Sequence, residues 1–162
     1  MRWLTHLVSA SSAKRHFPPA TLDAIQHAIA ASEHRHCGEI VFAVEGSLPL
    51  AQIAHGLRTR ERAHEVFAHL RVWNTEHNTG VLVYVLLADH AIEIVADRGI
   101  AANVAEDEWR EVCALMQQHF SAGNYLAGAL AGVDAITQIL ARHFPANGRR
   151  TTDELPDRPV LL

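Results

Sequence analysis

The sequence predicts an α/β fold, a three-layer α/β/α sandwich with a small mixed sheet and helices on both of its faces. Two short runs rich in β-branched residues, at positions 39–44 and 81–88, are separated by a long helical pattern. Such a strand–helix–strand unit closes as a right-handed crossover, which makes its two strands parallel. A third run at 91–96 follows after only Asp89 and His90, a loop length that pairs neighbouring strands antiparallel. We therefore expect one βαβ unit extended by an antiparallel hairpin.

The composition indicates a single folded domain. The chain has 162 residues, of which 49% are hydrophobic and 20% are charged, values typical of soluble globular proteins. With 14 Lys and Arg residues against 18 Asp and Glu residues, the chain has no basic excess to neutralise phosphates, so no nucleic-acid partner is predicted. Cys37 and Cys113 form no CxxC pair, which argues against a disulfide framework and favours a reducing compartment.

Residues 1–14 are predicted to form an amphipathic N-terminal segment that packs on the domain rather than on a membrane. Its apolar run is short and is interrupted by Thr5 and His6, which argues against a signal peptide. The sequence also has no run of about 18 apolar residues that could span a bilayer. We therefore expect a cytoplasmic protein without a transmembrane segment, with export after cleavage near Ala10 or Ala13 as the alternative.

Residues 15–145 are predicted to form the α/β/α domain. A proline pair before apolar residues spaced i, i+3, i+7 predicts a helix at 19–34. Pro49 opens a second apolar pattern, which predicts one helix continuing to about Trp73.

The second half of the domain is predicted to contain two further helices. Asn103 is a good capping residue and is followed by three acids that suit a first helical turn. The last helix is expected to end at about His143, before a proline. Residues 146–162 then form an extended tail that adds a short strand or stays mobile.

The strand directions bring one group of polar residues to the same edge of the sheet. Because strand three runs back along strand two, the residues after position 96 should lie beside those before positions 39 and 81. Carboxylate and amide oxygens suit a hard cation such as Ca²⁺ or Mg²⁺. The metal ligands predicted at this edge are Glu39, Asn74, Asn78 and Asp97. The alternative is that these are ordinary turn residues, since Asp and Asn are frequent in turns.

A second set of candidate ligands lies at the end of the first helix. Glu33, His34, His36 and Cys37 offer donors for a transition metal, although histidines at a helix C-terminus also simply complement the helix dipole, which is the interpretation we favour. The sequence contains neither GxGxxG nor GxxxxGKS, so it predicts no nucleotide or organic cofactor.

Three segments and the C-terminus of the sequence are similar to the TPM domain family. They read GEIVFAVE, RERAHEVFAHLRVWNTEHNTGVLVYVLLADHAIEIVADRGI, EWREVCALMQQHFSAGNYLAGALAGVDAITQILARHFP and ELPDRPVLL. The chain resembles short bacterial members without a C-terminal transmembrane segment, over about residues 15–162. The resemblance implies an α/β/α sandwich and divalent-cation binding. The family also includes thylakoid-lumen proteins linked to photosystem II repair, for which an acid phosphatase activity has been proposed. The resemblance therefore also implies a phosphatase as a candidate function.

The turn before strand two departs from the pattern of that family. Asn74 stands where the family usually has an acid, and Thr79 stands where it usually has a second Asn, whereas Asp97 and Arg98 match. Because the charge of the ligands tunes the affinity for a cation, Asn74 predicts weak binding.

Two functions are predicted from these residues. The one we favour is a binding module whose acidic edge holds a divalent cation or a protein partner without turnover. The alternative is a weak metal-dependent acid phosphatase acting on phosphate monoesters, in which Asp97 or Glu39 holds the ion and Arg98 neutralises phosphate charge. The binding module is favoured because the sequence shows no activated nucleophile.

Overall fold

The computed structural model describes residues 12–148 and 152–162, and it confirms the three-layer α/β/α sandwich. In chain order, the elements are α1 (Ser12–His16), α2 (Pro19–Ser32), β1 (Glu39–Glu45), α3 (Leu50–Ala54), α4 (Thr59–His69), β2 (Gly80–Leu86), β3 (Ala91–Ala96), α5 (Arg98–Ala101), α6 (Glu106–Ser121), α7 (Tyr125–His143) and β4 (Val160–Leu161). Most of the predicted N-terminal segment, residues 1–11, lies outside the described residues, so its amphipathic helix stays a prediction. No helix in the described part of the chain combines the length and the apolar character of a membrane span.

The sheet has the strand order β3-β2-β1-β4. β1 and β2 pair in parallel, from Glu39 opposite Gly80 to Glu45 opposite Leu86, and β2 pairs antiparallel with β3. Both pairings confirm the predicted βαβ unit and hairpin. The C-terminal tail adds β4, which pairs in parallel with β1 and is the first of the two outcomes expected for the tail.

Alternate residues of the central strands face two separate hydrophobic cores. Phe42 and Val83 lie opposite each other and belong to the core covered by α2, α6 and α7. Val41 and Leu82 belong to the core on the other face, under α4. Side chains along a strand alternate between the two faces of a sheet, so β1 and β2 are buried on both sides, as the continuous apolar run at 81–88 indicates.

The single helix predicted between Pro49 and Trp73 is wrong, because the structure has two helices there, α3 and α4. Gly56 follows α3 with a φ of 76°, the left-handed conformation that glycine adopts at helix C-termini. The N–H of Arg58 then donates to Glu61 Oε2 at 2.9 Å, which satisfies a free donor where α4 begins. The apolar periodicity continues across this break and therefore concealed it.

The helix cap predicted at Asn103 is also wrong. α6 begins at Glu106, and Glu108 Oε2 accepts a hydrogen bond from the N–H of Ala105 at 3.3 Å. The side chain of Asn103 instead donates to the carbonyl of Gly99 at 3.1 Å. Asn103 thus closes the short α5 turn, and the helix begins two residues later than the cap signal implied.

A buried polar network joins the carboxyl end of β1 to α4. Glu45 is 5% exposed and accepts two hydrogen bonds from the Arg62 guanidinium, at 2.9 and 3.0 Å. The hydroxyl of Tyr84 donates to the same carboxylate at 2.5 Å, and burial together with this hydrogen bond raises the pKa of Tyr84. Paired hydrogen bonds from arginine to a carboxylate are the strong form of an ion pair, so this network fixes α4 against the sheet.

Replacing Arg62 by methionine should lower the free energy of unfolding by about 3 kcal/mol, because Glu45 then stays buried without its charged partner. A loss of that size lowers the melting temperature of a domain of this length by roughly 6–12 °C. Thermal melts followed by circular dichroism measure it.

Arg110→Met is the matched control on α6. Arg110 forms an ion pair with Asp107 in which both side chains are largely exposed, and such pairs contribute little to stability. The control should therefore have the same melting temperature as the wild type. Equal melting temperatures for the two variants would contradict the role assigned to the Glu45 network.

Candidate functional site

The rim is the edge of the sheet where β1 and β2 begin and β3 ends. The N–H of Glu39 donates to the Thr79 carbonyl at 3.0 Å, and the N–H of Asp97 donates to the Gly80 carbonyl at 2.8 Å. These backbone hydrogen bonds bring the three loops together, which confirms the convergence expected from the strand directions.

Two glycines permit the close packing of the loops at the rim. A Cβ atom at Gly99 would lie 2.6 Å from the carbonyl oxygens of both His77 and Asn78, closer than real contacts allow. A Cβ at Gly80 would overlap the carbonyl oxygen of Val72. The backbone approach at the rim therefore requires glycine at both positions.

A cleft of about 410 Å³ opens at the rim, and we call it the rim cleft. It is lined by Cys37, Glu39, Glu76, His77, Thr79, Gly99, Phe144, Pro145, Thr152 and Glu154. These described lining residues include three glutamates and neither Lys nor Arg. The rim cleft is therefore acidic, which favours cations over anions.

Residues 152–162, the C-terminal strap, cross the rim cleft and then run beside β1. Glu154 Oε2 accepts a hydrogen bond from the N–H of Glu76 at 2.8 Å. Leu155 is 6% exposed and belongs to the hydrophobic core under α4. The C-terminal strap thereby carries acidic residues from the far end of the chain to the side of Glu39.

Glu33, Glu39 and Asp153 form the acidic cluster, in which one carboxylate oxygen of each residue lies within 4.8 Å of the other two. Glu33 follows α2, Glu39 opens β1 and Asp153 belongs to the C-terminal strap. In the stretches 12–148 and 152–162, no other group of three His, Cys, Asp or Glu ligands comes this close together. Oxygen ligands are those that Ca²⁺ and Mg²⁺ prefer.

Asp157 extends the acidic cluster. Its carboxyl group lies beside that of Glu33, and the two groups interact electrostatically. Glu33 Oε1 and Asp157 Oδ1 are buried and meet no N–H or O–H donor within the described parts of the chain. Because an ionised carboxylate has no hydrogen to donate, the two groups need a proton or another positive charge between them.

The electrostatic surroundings favour protonation of the acidic cluster when no cation is bound. Burial raises the pKa of Glu39 to about 7 with help from the charge of Asp153, although backbone N–H groups of the C-terminal strap donate to its carboxylate. Burial, reinforced by Asp157, raises the pKa of Glu33 to about 8. Burial likewise raises the pKa of Asp157. A cation that replaces the proton would neutralise these buried carboxylates and so stabilise their ionised form.

The residues predicted from the sequence lie around the acidic cluster rather than all within it. Of these, Glu39 is a member. Asp97 Oδ1 accepts a hydrogen bond from the N–H of Arg98 at 2.7 Å and caps α5. Asn74, Asn78, Asp97 and Arg98 do not belong to the described lining of the rim cleft. Their roles as ligands, or in catalysis for Asp97 and Arg98, stay predictions.

Sequence reasoning missed two members of the acidic cluster. Glu33 was considered only beside His34, His36 and Cys37, and Asp153 lies in a tail without a periodic pattern. The density of acids between positions 153 and 157 was the signal that could have drawn attention to the tail.

The structure gives no support to a transition-metal site at the end of α2. His36 is fully buried, its Nδ1 accepts a hydrogen bond from the N–H of Gly38 at 3.2 Å, and burial lowers its pKa to about 4. Cys37 Sγ donates to the Pro145 carbonyl at 3.5 Å. Within the described residues, the ligand group at this place contains Glu33 but neither a histidine nor a cysteine.

Comparison with known proteins identifies similar domains. The sequence profile of the TPM domain matches residues 13–139. The solved structure of the BA42 protein from the psychrophilic bacterium Bizionia argentinensis is 30% identical, with a TM-score of 0.78, over 88% of this chain and 93% of that chain. The N-terminal domain of a protein from P. gingivalis shares the fold at 19% identity, with a TM-score of 0.61, over 78% of this chain and 79% of that chain. No protein of curated function matches.

The metal-free protein should lose stability as the pH rises from about 6.5 to about 8.5. Glu39 and Glu33 have pKa values of about 7 and about 8 in the folded chain against 4.5 in an unfolded one. Their contribution is therefore complete below about pH 4.5 and is lost as the pH rises through the folded values. His36, whose pKa falls from 6.5 to about 4, opposes this trend only at lower pH. Urea unfolding in EDTA measures the dependence.

Glu39→Gln should flatten this pH dependence, because it removes one titrating group and one negative neighbour of Glu33. Glu111→Gln, at an exposed position on α6, should keep the wild-type slope. A wild-type stability that is constant or rises over this pH interval would refute the protonated acidic cluster.

Proposed function

The chain belongs to the TPM domain family, and on that premise we propose that it is a binding module for a divalent cation, held by Glu33, Glu39 and Asp153. The observation that carries the proposal is the approach of one oxygen from each of these carboxylates to within 4.8 Å of the others. Three carboxylates this close together repel one another, and a divalent cation bound between them removes the repulsion.

The form of the site favours calcium over magnesium. Ca²⁺ accepts six to eight oxygen ligands in a variable geometry, whereas Mg²⁺ demands a near-ideal octahedron. The acidic cluster is assembled from three separate segments, and the rim cleft beside it leaves room for water to complete the coordination. The ligand group holds no thiol or imidazole within the described chain, so a zinc site is disfavoured.

Binding without turnover accounts for the site better than phosphatase activity does. The described lining of the rim cleft carries three glutamates and neither Lys nor Arg, so a phosphate monoester would meet mainly like charge. Arg98, which the phosphatase hypothesis uses to neutralise phosphate, does not line the rim cleft. A phosphoryl group at the rim cleft would therefore depend on the bound metal ion alone for the neutralisation of its charge.

Calcium at about 10 mM should raise the melting temperature of the wild-type protein. For a dissociation constant of about 1 mM, in the range of weak extracellular calcium modules, the stabilisation is about 1.4 kcal/mol. This corresponds to roughly 3–6 °C for a domain of this length. Glu39→Gln and Asp153→Asn should each remove most of the shift, because each deletes one ligand charge. Differential scanning calorimetry in EDTA and in calcium measures it.

Two further variants locate the cation. Glu111→Gln is the matched control and should keep the full calcium shift. Asp97→Asn should also keep it, since Asp97 caps α5; loss of the shift in Asp97→Asn but not in Glu39→Gln would move the cation to the loop ligands predicted from the sequence. The absence of any calcium effect on melting or on amide chemical shifts would refute the cation site and favour a protein partner for the same rim.

Hydrolysis of p-nitrophenyl phosphate distinguishes the alternative function. With calcium or magnesium present, the wild-type protein should release no more phosphate than Glu39→Gln does. Turnover that requires both the cation and Glu39 would instead show that the site is catalytic.

A further inference from the structure

The C-terminal strap is attached to the domain at two different kinds of contact. Its second half is held by complementary groups: Arg158 donates to Asp23 at 2.7 Å and to Gln26 at 3.0 Å, and β4 pairs with β1. The Arg158–Asp23 pair is about half exposed and β4 has only two residues, so these contacts alone hold the end of the chain beside the sheet weakly.

The first half of the C-terminal strap places negative side chains beside negative side chains of the domain. Asp153 and Asp157 face Glu33 and Glu39, with a carboxylate oxygen of Asp153 within 4.8 Å of one from each glutamate. The one arginine within the C-terminal strap, Arg158, is engaged by Asp23. The carboxylates therefore repel one another across the junction between strap and domain unless a positive charge lies between them.

The hydrogen bonds at this junction do not offset that repulsion fully. The N–H groups of Glu154 and Leu155 donate to Glu39, which is only 5% exposed. Glu33 Oε1 and Asp157 Oδ1, by contrast, are buried and have no N–H or O–H donor in the described parts of the chain. Among the residues that the structure describes, no cationic side chain is one of the groups that act on Glu33 and Asp157 where the C-terminal strap meets the end of α2.

We propose that the C-terminal strap is a cation-controlled latch, closed over the rim cleft when a divalent cation neutralises the acidic cluster and released from it when the cation leaves. This inference rests on the proposed function and adds its regulation. The strap supplies Asp153 as a ligand and also covers the rim cleft through Thr152 and Glu154. Binding of the cation and access to the rim cleft are therefore coupled, since one segment serves both.

Release of the latch would expose two surfaces. Leu155 would leave the core under α4, and the edge of β1 at Ala43 and Val44, which β4 covers, would become free to pair. An open β edge beside an apolar pocket is a form that extended peptides recognise. Loss of the cation would thus make the edge of β1 available for docking.

Amide hydrogen exchange of the whole 162-residue chain tests the latch in EDTA and in about 10 mM calcium. The pH is fixed at about 8.5, above the pKa values of Glu39 and Glu33 (about 7 and about 8), so that the acidic cluster is mainly ionised when no cation is bound. The N–H of Leu162 reports on closure because it donates to the Val44 carbonyl at 2.9 Å. Its exchange, and that of Leu155, should slow by about tenfold or more in calcium, since exchange follows local opening. Amides in the middle of α7 should exchange at the same rate in both conditions.

Asp157→Asn separates the latch from the cation site. The side-chain amide that this substitution introduces can donate to Glu33, so the variant should protect the C-terminal strap in EDTA by about tenfold over the wild type. Because Glu33, Glu39 and Asp153 remain, it should still bind calcium. Asp134→Asn, at an exposed acid on α7 paired with Arg35, is the matched control and should exchange as the wild type does.

The outcomes distinguish the two proposals. If calcium raises the melting temperature but strap exchange is unchanged, the latch is refuted and the cation site stands. If Asp157→Asn gives no protection in EDTA, repulsion does not open the strap and the latch fails whatever calcium does. If Asp157→Asn protects the strap but calcium affects neither melting nor exchange, the cation site is refuted, and cation control of the strap with it.

Discussion

The parallel pairing of β1 with β2 is the constraint on which the rest of the structure depends. Both strands are buried along their whole length, so each charged residue that they carry must be satisfied inside the protein. β1 has one glutamate at each end, Glu39 and Glu45, and both are 5% exposed. The two glutamates have the same chemistry and the same burial, but the fold surrounds them differently.

At the carboxyl end of β1, the buried glutamate has a structural role. Glu45 receives a two-point contact from Arg62 and a hydroxyl from Tyr84, and this set of partners joins the sheet to α4. A buried acid with a matched base needs nothing further from solvent or from a ligand. Nothing in its geometry therefore indicates a role outside stability.

The amino end of β1 is arranged in the opposite way. Glu39 meets backbone N–H groups and further acids, and burial among them raises its pKa to about 7. The position combines burial, like charge and an adjacent acidic cleft, and these are the features on which the proposed cation site rests. The C-terminal strap is central to this arrangement, because it lies beyond the residues matched to the TPM domain, 13–139, and supplies Asp153.

The sequence by itself determined the sheet and the position of one site residue. The short spacing between two apolar runs predicted an antiparallel hairpin, which the structure closes with a four-residue loop at 87–90. The intervening helical pattern made β1 and β2 parallel, so the rim with Glu39 and Asp97 could be placed from local rules. Only the tertiary structure brought Glu33 and Asp153 to Glu39. That contact depends on Leu155 entering a core and on a β4 too short to show a period, and such long-range packing leaves no local pattern to detect.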